Sequence, residues 1–286
     1  MNKLAIATSG GGYKGVFIQG VLSLFEQEGF WVDAYASCSS SALFSALASV
    51  NKINTISKLV WSEGAEIAKI KGNSQSNVQL INIERFLPAL KEELFQSSRR
   101  FLVSTSYVKT DKAAVETQSS SSTRLGRKLL IEAARNITSW RDENLENHLF
   151  DTFENSKTKL ITKENIKDVL YATTRMVHAW HIPAFINGKP YIDGSYTSMC
   201  PAMPLAELGY EKIICITTEH VQTKLDFFSE KYIPEKVGDS NITFIKPDYD
   251  LVEIEVDFFK VTEKGLDKAF QHGIDKAKEF ISNNGW

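Results

Sequence analysis

Short apolar runs and amphipathic stretches alternate from the start of the chain. Residues 3–8 form an apolar run with the length of a buried strand. After a group of glycines, residues 16–28 place their apolar side chains on one face of a helix. A second extended run starts at Asp33 and leads into a helical pattern over residues 42–50. This order of strand, helix and strand favours a parallel sheet.

The later part of the chain mixes helical and extended patterns. They predict helices over residues 53–70, 78–95, 124–135, 144–153 and 261–281, and strands over residues 101–108, 113–116, 212–216, 242–247 and 252–256. Four consecutive serines, Ser119 to Ser122, predict a mobile surface loop, with a lid over an active site as the alternative. No repeat and no linker divides the chain, so we expect one α/β domain over residues 1–286.

The composition is that of an ordinary globular protein, with 43% hydrophobic and 24% charged residues. The net charge of −2 lacks the basic excess of proteins that bind phosphate backbones, so we expect no nucleic acid partner. Three cysteines, Cys38, Cys200 and Cys215, have no metal-ligand spacing and indicate a reducing compartment.

The first apolar run is too short for a signal peptide, and no stretch approaches the ~18 apolar residues that span a bilayer. We therefore expect a cytoplasmic protein. Export by a route that needs no N-terminal signal is the alternative. Any work on lipids would take place at the membrane surface, through peripheral contact.

Gly10, Gly12 and Gly15 lie between the first strand and the first helix. Their spacing fits the dinucleotide-binding fingerprint, in which loop N–H groups hold a pyrophosphate. That fingerprint also needs an acidic residue near the end of the second strand, whereas Asp33 stands at its start. Two alternatives stay open: a tight turn without a ligand, and an oxyanion hole whose free N–H groups stabilise a tetrahedral intermediate.

The second strand ends in Ser37-Cys38-Ser39-Ser40-Ser41, just before a helix. This matches a nucleophile elbow, a sharp strand-to-helix corner that exposes the side chain at its tip, here Ser39. The usual pattern has glycine where Ser37 and Ser41 stand. Serine keeps these positions small but adopts φ > 0 less readily. A serine-rich loop without chemistry is the alternative, and in either case Cys38 should point into the fold.

A third feature lies far downstream, where the apolar pair Tyr191-Ile192 precedes Asp193-Gly194. This pattern is typical of a strand that ends in a turn. An Asp-Gly pair is a common turn signal, so it carries no function when taken alone.

Together the three features resemble the patatin-like phospholipase family of lipid acyl hydrolases. The glycine loop from Gly10 to Gly15, Ser39 in its elbow and Asp193-Gly194-Ser195 occur in the order and at the separations of that family. The resemblance extends from about Leu4 to Ile216. It is weakest across residues 110–165, which we interpret as an insertion or variable region.

The resemblance implies a three-layer α/β/α fold with a mostly parallel central sheet. It also implies a serine acyl hydrolase, either an esterase or a phospholipase A-type enzyme, that acts on lipid or ester substrates without a metal or other cofactor. Ser39 would be the nucleophile and Asp193 its general base, with no histidine in the mechanism. The backbone of Gly10, Gly11 and Gly12 would form the oxyanion hole. The supporting positions would be Lys14, Gly15, Ser37, Ser41 and Gly194.

The chemistry of these residue types agrees with that scheme. A serine hydroxyl becomes an effective nucleophile when a neighbouring base accepts its proton. A carboxylate within hydrogen-bond distance can fill that role. The rival hypothesis is a catalytically impaired relative that binds lipid or a protein partner, because Ser37 and Ser41 replace the two elbow glycines.

Overall fold

Ten strands form one sheet in the computed structural model, which describes residues 3–284. The strands are β1 (Leu4–Thr8), β2 (Ala34–Cys38), β3 (Arg100–Val108), β4 (Leu145–Asp151), β5 (Lys159–Leu160), β6 (Phe185–Ile186), β7 (Lys189–Ile192), β8 (Lys212–Ile216), β9 (Lys236–Val237) and β10 (Ser240–Ile245). Their order across the sheet is β5-β4-β3-β2-β1-β8-β10-β9, and β7 pairs with β3 and β6.

The centre of this sheet is parallel. β1 pairs in parallel with β2 and β8, β2 with β3, and β8 with β10. The pairs β3–β4 and β9–β10, further out, are antiparallel. Because parallel strands end at the same edge of a sheet, the last residue of β1, Thr8, lies beside Ser37 of β2. The loops that leave β1 and β2 therefore start side by side.

Ten helices accompany the sheet within residues 3–284. They are α1 (Gly15–Gln27), α2 (Ala42–Ser49), α3 (Val60–Lys69), α4 (Gln75–Gln96), α5 (Asp111–Gln118), α6 (Ser122–Ala134), α7 (Ser139–Asn144), α8 (Ile166–Ala172), α9 (Ala202–Glu207) and α10 (Glu263–Asn284). Short 3-10 helices occur at Gly12–Lys14, Ser39–Ser41, Ile53–Thr55, Gly194–Tyr196 and Leu251–Ile254. Across this part of the chain, we find no helix with the length and apolar character needed to cross a bilayer.

Successive residues of the central strands face two different cores. Ile6 of β1 and Ile214 of β8 pack with residues of α1 and α10. Their neighbours Ala7 and Cys215 pack instead with Leu205 of α9. Because side chains alternate between the two faces of a strand, both faces of this sheet need a cover of helices and loops. The predicted three-layer α/β/α fold with a mostly parallel central sheet is confirmed.

The predicted helix over residues 144–153 is wrong, because most of this stretch forms strand β4. The buried residues Leu145, Leu149 and Phe150 have a spacing that also fits one face of a helix. Antiparallel pairing with β3 decides the conformation. The paired residues are far apart in the chain, since Thr105 and His148 are more than 40 residues apart. Local pattern alone does not contain that pairing.

Two further strand predictions are wrong. Residues 113–116 lie in helix α5, and residues 252–256 overlap the 3-10 helix Leu251–Ile254. The predicted surface loop is confirmed for Ser119 to Ser121, which form an exposed turn between α5 and α6, whereas Ser122 is the first residue of α6. For the two strand predictions, packing against the rest of the fold overrides a short local pattern that fits both a strand and a helix.

Candidate active site

Ser39 stands at the corner between β2 and α2, in a backbone conformation that is rare for serine. Its φ is +57°, in the left-handed region that costs an L-residue roughly 1–2 kcal/mol. The backbone N–H of Ser39 donates to the Thr173 hydroxyl over 2.9 Å, which holds the corner from outside the elbow. The residue is only 4% exposed. A strained serine at a strand-to-helix corner is the geometry expected of a nucleophile elbow.

Ser37 and Ser41 fit the elbow without the conformational freedom of glycine. Ser41 has a φ of −80°, and Ser37 lies within the extended strand β2. The Ser37 hydroxyl donates to the Leu102 carbonyl over 3.2 Å, and the Ser41 hydroxyl donates to the Cys38 carbonyl over 2.9 Å. Both buried hydroxyls therefore have partners, and the left-handed conformation falls on Ser39 alone among residues 37–41.

The hydroxyl of Ser39 donates to Oδ2 of Asp193 over 2.7 Å. The other carboxyl oxygen, Oδ1, accepts a hydrogen bond from the backbone N–H of Ser195 over 2.8 Å. Asp193 is fully buried, and burial raises the pKa of its carboxyl to about 6, while hydrogen bonds from Ser195 and Ser39 lower it by less. This carboxyl group can therefore take up and release a proton near neutral pH.

The turn that carries Asp193 is fixed from several directions. The backbone N–H of Asp193 donates to the Arg175 carbonyl over 3.0 Å, and that of Gly194 donates to the Thr173 carbonyl over 3.2 Å. A Cβ atom at Gly194 would lie 2.3 Å from the Ser104 carbonyl oxygen, so only glycine fits there. Thr173 thus contacts both the corner at Ser39 and the turn at Asp193.

The glycine loop passes directly over the elbow. A Cβ atom at Gly10 would lie 2.7 Å from Cβ of Ser39, and Gly12 has a φ of +59°. The Gly10 N–H donates to the Met199 carbonyl over 3.3 Å. The N–H groups of Gly11 and Gly12 donate to no protein acceptor in residues 3–284. Two unpartnered backbone donors therefore remain in this loop beside Ser39.

Lys14 and Gly15 connect this loop to the rest of the fold. The Lys14 ammonium forms ion pairs with Glu219 at 3.2 Å and Asp250 at 3.1 Å. A Cβ atom at Gly15 would lie 2.7 Å from the Trp61 ring, so the start of α1 can approach that ring only with glycine. These contacts brace the loop. Neither Lys14 nor Gly15 contacts the Ser39 hydroxyl.

An apolar pocket lies beside the elbow and the glycine loop. Gly12 and Ser40 are at its edge, and the rings of Trp61, Trp180 and Phe258 are among its walls. Trp61 is held in place because its indole N–H donates to the Gln19 side chain over 2.7 Å. Sequence patterns do not reveal this pocket, because its walls come from elements that are distant along the chain.

Other reactive side chains are not part of this arrangement. No histidine in the described part of the chain hydrogen-bonds to Ser39 or Asp193, and the His178 ring packs edge-on against Phe259. Cys38 is buried, as expected, and burial raises the pKa of its thiol. Between residues 3 and 284, no group of three or more His, Cys, Asp or Glu side chains is placed to hold a metal ion.

The comparison with protein families agrees with the sequence resemblance. A family model described as patatin-like phospholipase matches residues 6–206, which include both Ser39 and Asp193. Among solved structures, the crystal structure of VipD from Legionella pneumophila aligns over 99% of this chain and 67% of its own, with a TM-score of 0.48 and 10% sequence identity. No curated protein matches the chain.

Proposed function

Because the chain belongs to the patatin-like phospholipase family, we propose that it is a serine acyl hydrolase that cleaves lipid esters with a Ser39–Asp193 dyad. The family supports lipid acyl hydrolysis in general. The observation that carries the specific proposal is the 2.7 Å hydrogen bond from the Ser39 hydroxyl to the buried Asp193 carboxyl. A base in direct contact with the serine is what nucleophilic catalysis requires.

In the proposed first step, Oγ of Ser39 attacks the ester carbonyl carbon while its proton passes to Oδ2 of Asp193. The carbonyl oxygen becomes an oxyanion, and the N–H groups of Gly11 and Gly12 stabilise its charge. The Gly10 N–H is engaged by Met199, so the role of Gly10 is to let the loop approach Ser39. Collapse of the tetrahedral intermediate breaks the ester C–O bond, and Asp193 gives its proton to the departing alcohol.

The second step removes the acyl group from Ser39. Asp193 accepts a proton from water as the water oxygen attacks the acyl-enzyme, and the proton returns to Oγ of Ser39 when the carboxylic acid leaves. The acyl chain occupies the apolar pocket, whose edge includes Gly12 and Ser40. An apolar wall beside the reacting carbon suits the hydrocarbon part of a lipid ester.

The alternative of an impaired, purely binding relative was motivated by the missing elbow glycines. The structure argues against this alternative, because the backbone at Ser37 and Ser41 does not need φ > 0 and the hydroxyls of both residues hydrogen-bond to nearby carbonyl groups. Lipid acyl hydrolysis is therefore the function that the geometry supports best.

A fluorophosphonate probe tests the proposal, because it reacts with activated serines. We expect intact-mass analysis to show one probe molecule per chain. We also expect the protein to hydrolyse p-nitrophenyl butyrate, and Ser39→Ala to lose both the labelling and the hydrolysis. Ser40→Ala is the matched control, since it removes the neighbouring hydroxyl and should keep both signals. Labelling that persists in Ser39→Ala would contradict the assignment of the nucleophile.

A further inference from the structure

Residues Asp257, Phe258, Phe259 and Lys260 form a tight turn before α10, which we name the aromatic turn. A bridge between Val256 and Val261 closes its base. The Asp257 carboxylate accepts hydrogen bonds from the backbone N–H groups of Phe259 and Lys260, each over 2.6 Å. Its charge is therefore directed into the turn, and the two phenylalanines occupy the tip.

The aromatic turn covers the apolar pocket. Phe258 is one of the pocket walls, and its carbonyl oxygen would lie 2.2 Å from a Cβ atom placed on Gly12. The centroid of the Trp180 ring lies 6.1 Å from that of Phe258 and 6.4 Å from that of Phe259. The turn thus packs against the glycine loop at Gly12 and forms one side of the pocket.

The attachment of the turn to the rest of the fold is apolar. Every hydrogen bond that residues 257–260 form within the described chain stays inside the turn. Its other contacts are ring contacts with His178 and Trp180, packing of Phe258 against the hydrophobic core, and the close approach of the Phe258 backbone to Gly12. Displacing the turn therefore breaks no hydrogen bond to other elements, and hydrocarbon chains can replace the apolar contacts that are lost.

The outer side of the turn has the character of a lipid-binding surface. Phe259 is 39% exposed and Val252 is 50% exposed, and both line one groove beside α3. Lys260 has no ion pair with any described residue. Glu255 and Asp257 line the same groove, so it carries charges of both signs. An exposed ring beside a lysine can place the ring among lipid chains and the ammonium at the headgroups.

We propose that the aromatic turn is both the cap of the apolar pocket and the contact with the lipid surface that supplies the substrate. The occupant of this surface is a lipid bilayer. Phe259 inserts among the lipids, Lys260 lies at the headgroups, and Phe258 withdraws from the pocket. This inference rests on the proposed function, because a lipid substrate gives the cap its reason to face a membrane.

The test uses Ser39→Ala protein, so that binding is measured without turnover, and vesicles of phosphatidylcholine and phosphatidylglycerol. Adding Phe259→Asp should lower the fraction that co-sediments with vesicles by at least about tenfold. The matched control is Val115→Asp on α5, which charges an apolar residue that is 69% exposed elsewhere, and it should bind as before. Lys260→Glu should weaken binding to these vesicles and leave binding to pure phosphatidylcholine unchanged.

Equal sedimentation of Phe259→Asp and its parent would overturn the proposal, provided that circular dichroism shows both folded. Loss of a dimer in Phe259→Asp with unchanged vesicle binding would also overturn it, because the face would then join two copies. In protein that retains Ser39, Phe259→Asp should slow hydrolysis of vesicle lipid and spare p-nitrophenyl butyrate. Turn-dependent vesicle binding without any turnover would support the turn and contradict the hydrolase.

Discussion

The hydroxyl of Thr173 accepts a hydrogen bond from the backbone N–H of Ser39 over 2.9 Å. The same hydroxyl donates to the Ser104 carbonyl over 2.6 Å, and the Thr173 carbonyl accepts from the N–H of Gly194. Thr173 is therefore a single residue that fixes the strained corner of the proposed nucleophile and the turn of the proposed base. It positions the dyad without contacting either reacting group.

We predict that Thr173→Val lowers kcat by about 10- to 100-fold with little change in KM. Valine keeps the shape of threonine but leaves the buried Ser39 N–H without an acceptor, which costs ~1–3 kcal/mol at the corner. Thr173→Ser keeps the hydroxyl and should retain most of the rate. Steady-state hydrolysis of p-nitrophenyl butyrate separates the two variants, and an unchanged kcat in Thr173→Val would remove the positioning role.

Thr173 illustrates what the sequence could not provide. The order of β1, α1 and β2 follows from local periodicity. The small residues around Ser39 predict the corner, and the glycines predict the loop beside it. Thr173 follows α8, and the sequence does not predict its role, because that role arises only where distant segments meet. The sequence does not predict the aromatic walls of the pocket for the same reason. The roles of Ser39 and Asp193 came from a family resemblance, since neither motif is specific alone.

We predict that kcat/KM rises with pH through the pKa of Asp193, about 6, and levels off above it. Only the ionised carboxyl can accept the Ser39 proton, so activity should fall about tenfold for each pH unit below that value. Rates of p-nitrophenyl butyrate hydrolysis between about pH 4 and pH 8 give the profile. The rate of fluorophosphonate labelling should follow the same curve. A midpoint at the ordinary carboxyl value would show that burial of Asp193 does not control catalysis.

We predict that restoring glycine at position 41 lowers stability and brings no gain in activity. The Ser41 hydroxyl donates to the Cys38 carbonyl and also lies 2.9 Å from the Thr8 hydroxyl. Ser41→Gly removes both bonds and adds backbone entropy to the unfolded chain, so it should cost about 1–2 kcal/mol. Urea unfolding measures the loss. A clear rise in kcat in this variant would instead revive the view that the missing glycines impair the elbow.

We predict that Gly10→Ala abolishes most of the activity while the protein stays folded. The added methyl group would lie 2.7 Å from Cβ of Ser39 and 3.0 Å from Oγ of Ser195, so the glycine loop must move away from Ser39. Displacing the donors of Gly11 and Gly12 should lower kcat by about a hundredfold or more. Gly209→Ala is the control, because Gly209 has a φ of +85° with nothing within 4 Å of the added methyl. It should cost about 1 kcal/mol of stability and leave kcat unchanged. Similar kcat values for the two variants would mean that the loop takes no part in catalysis.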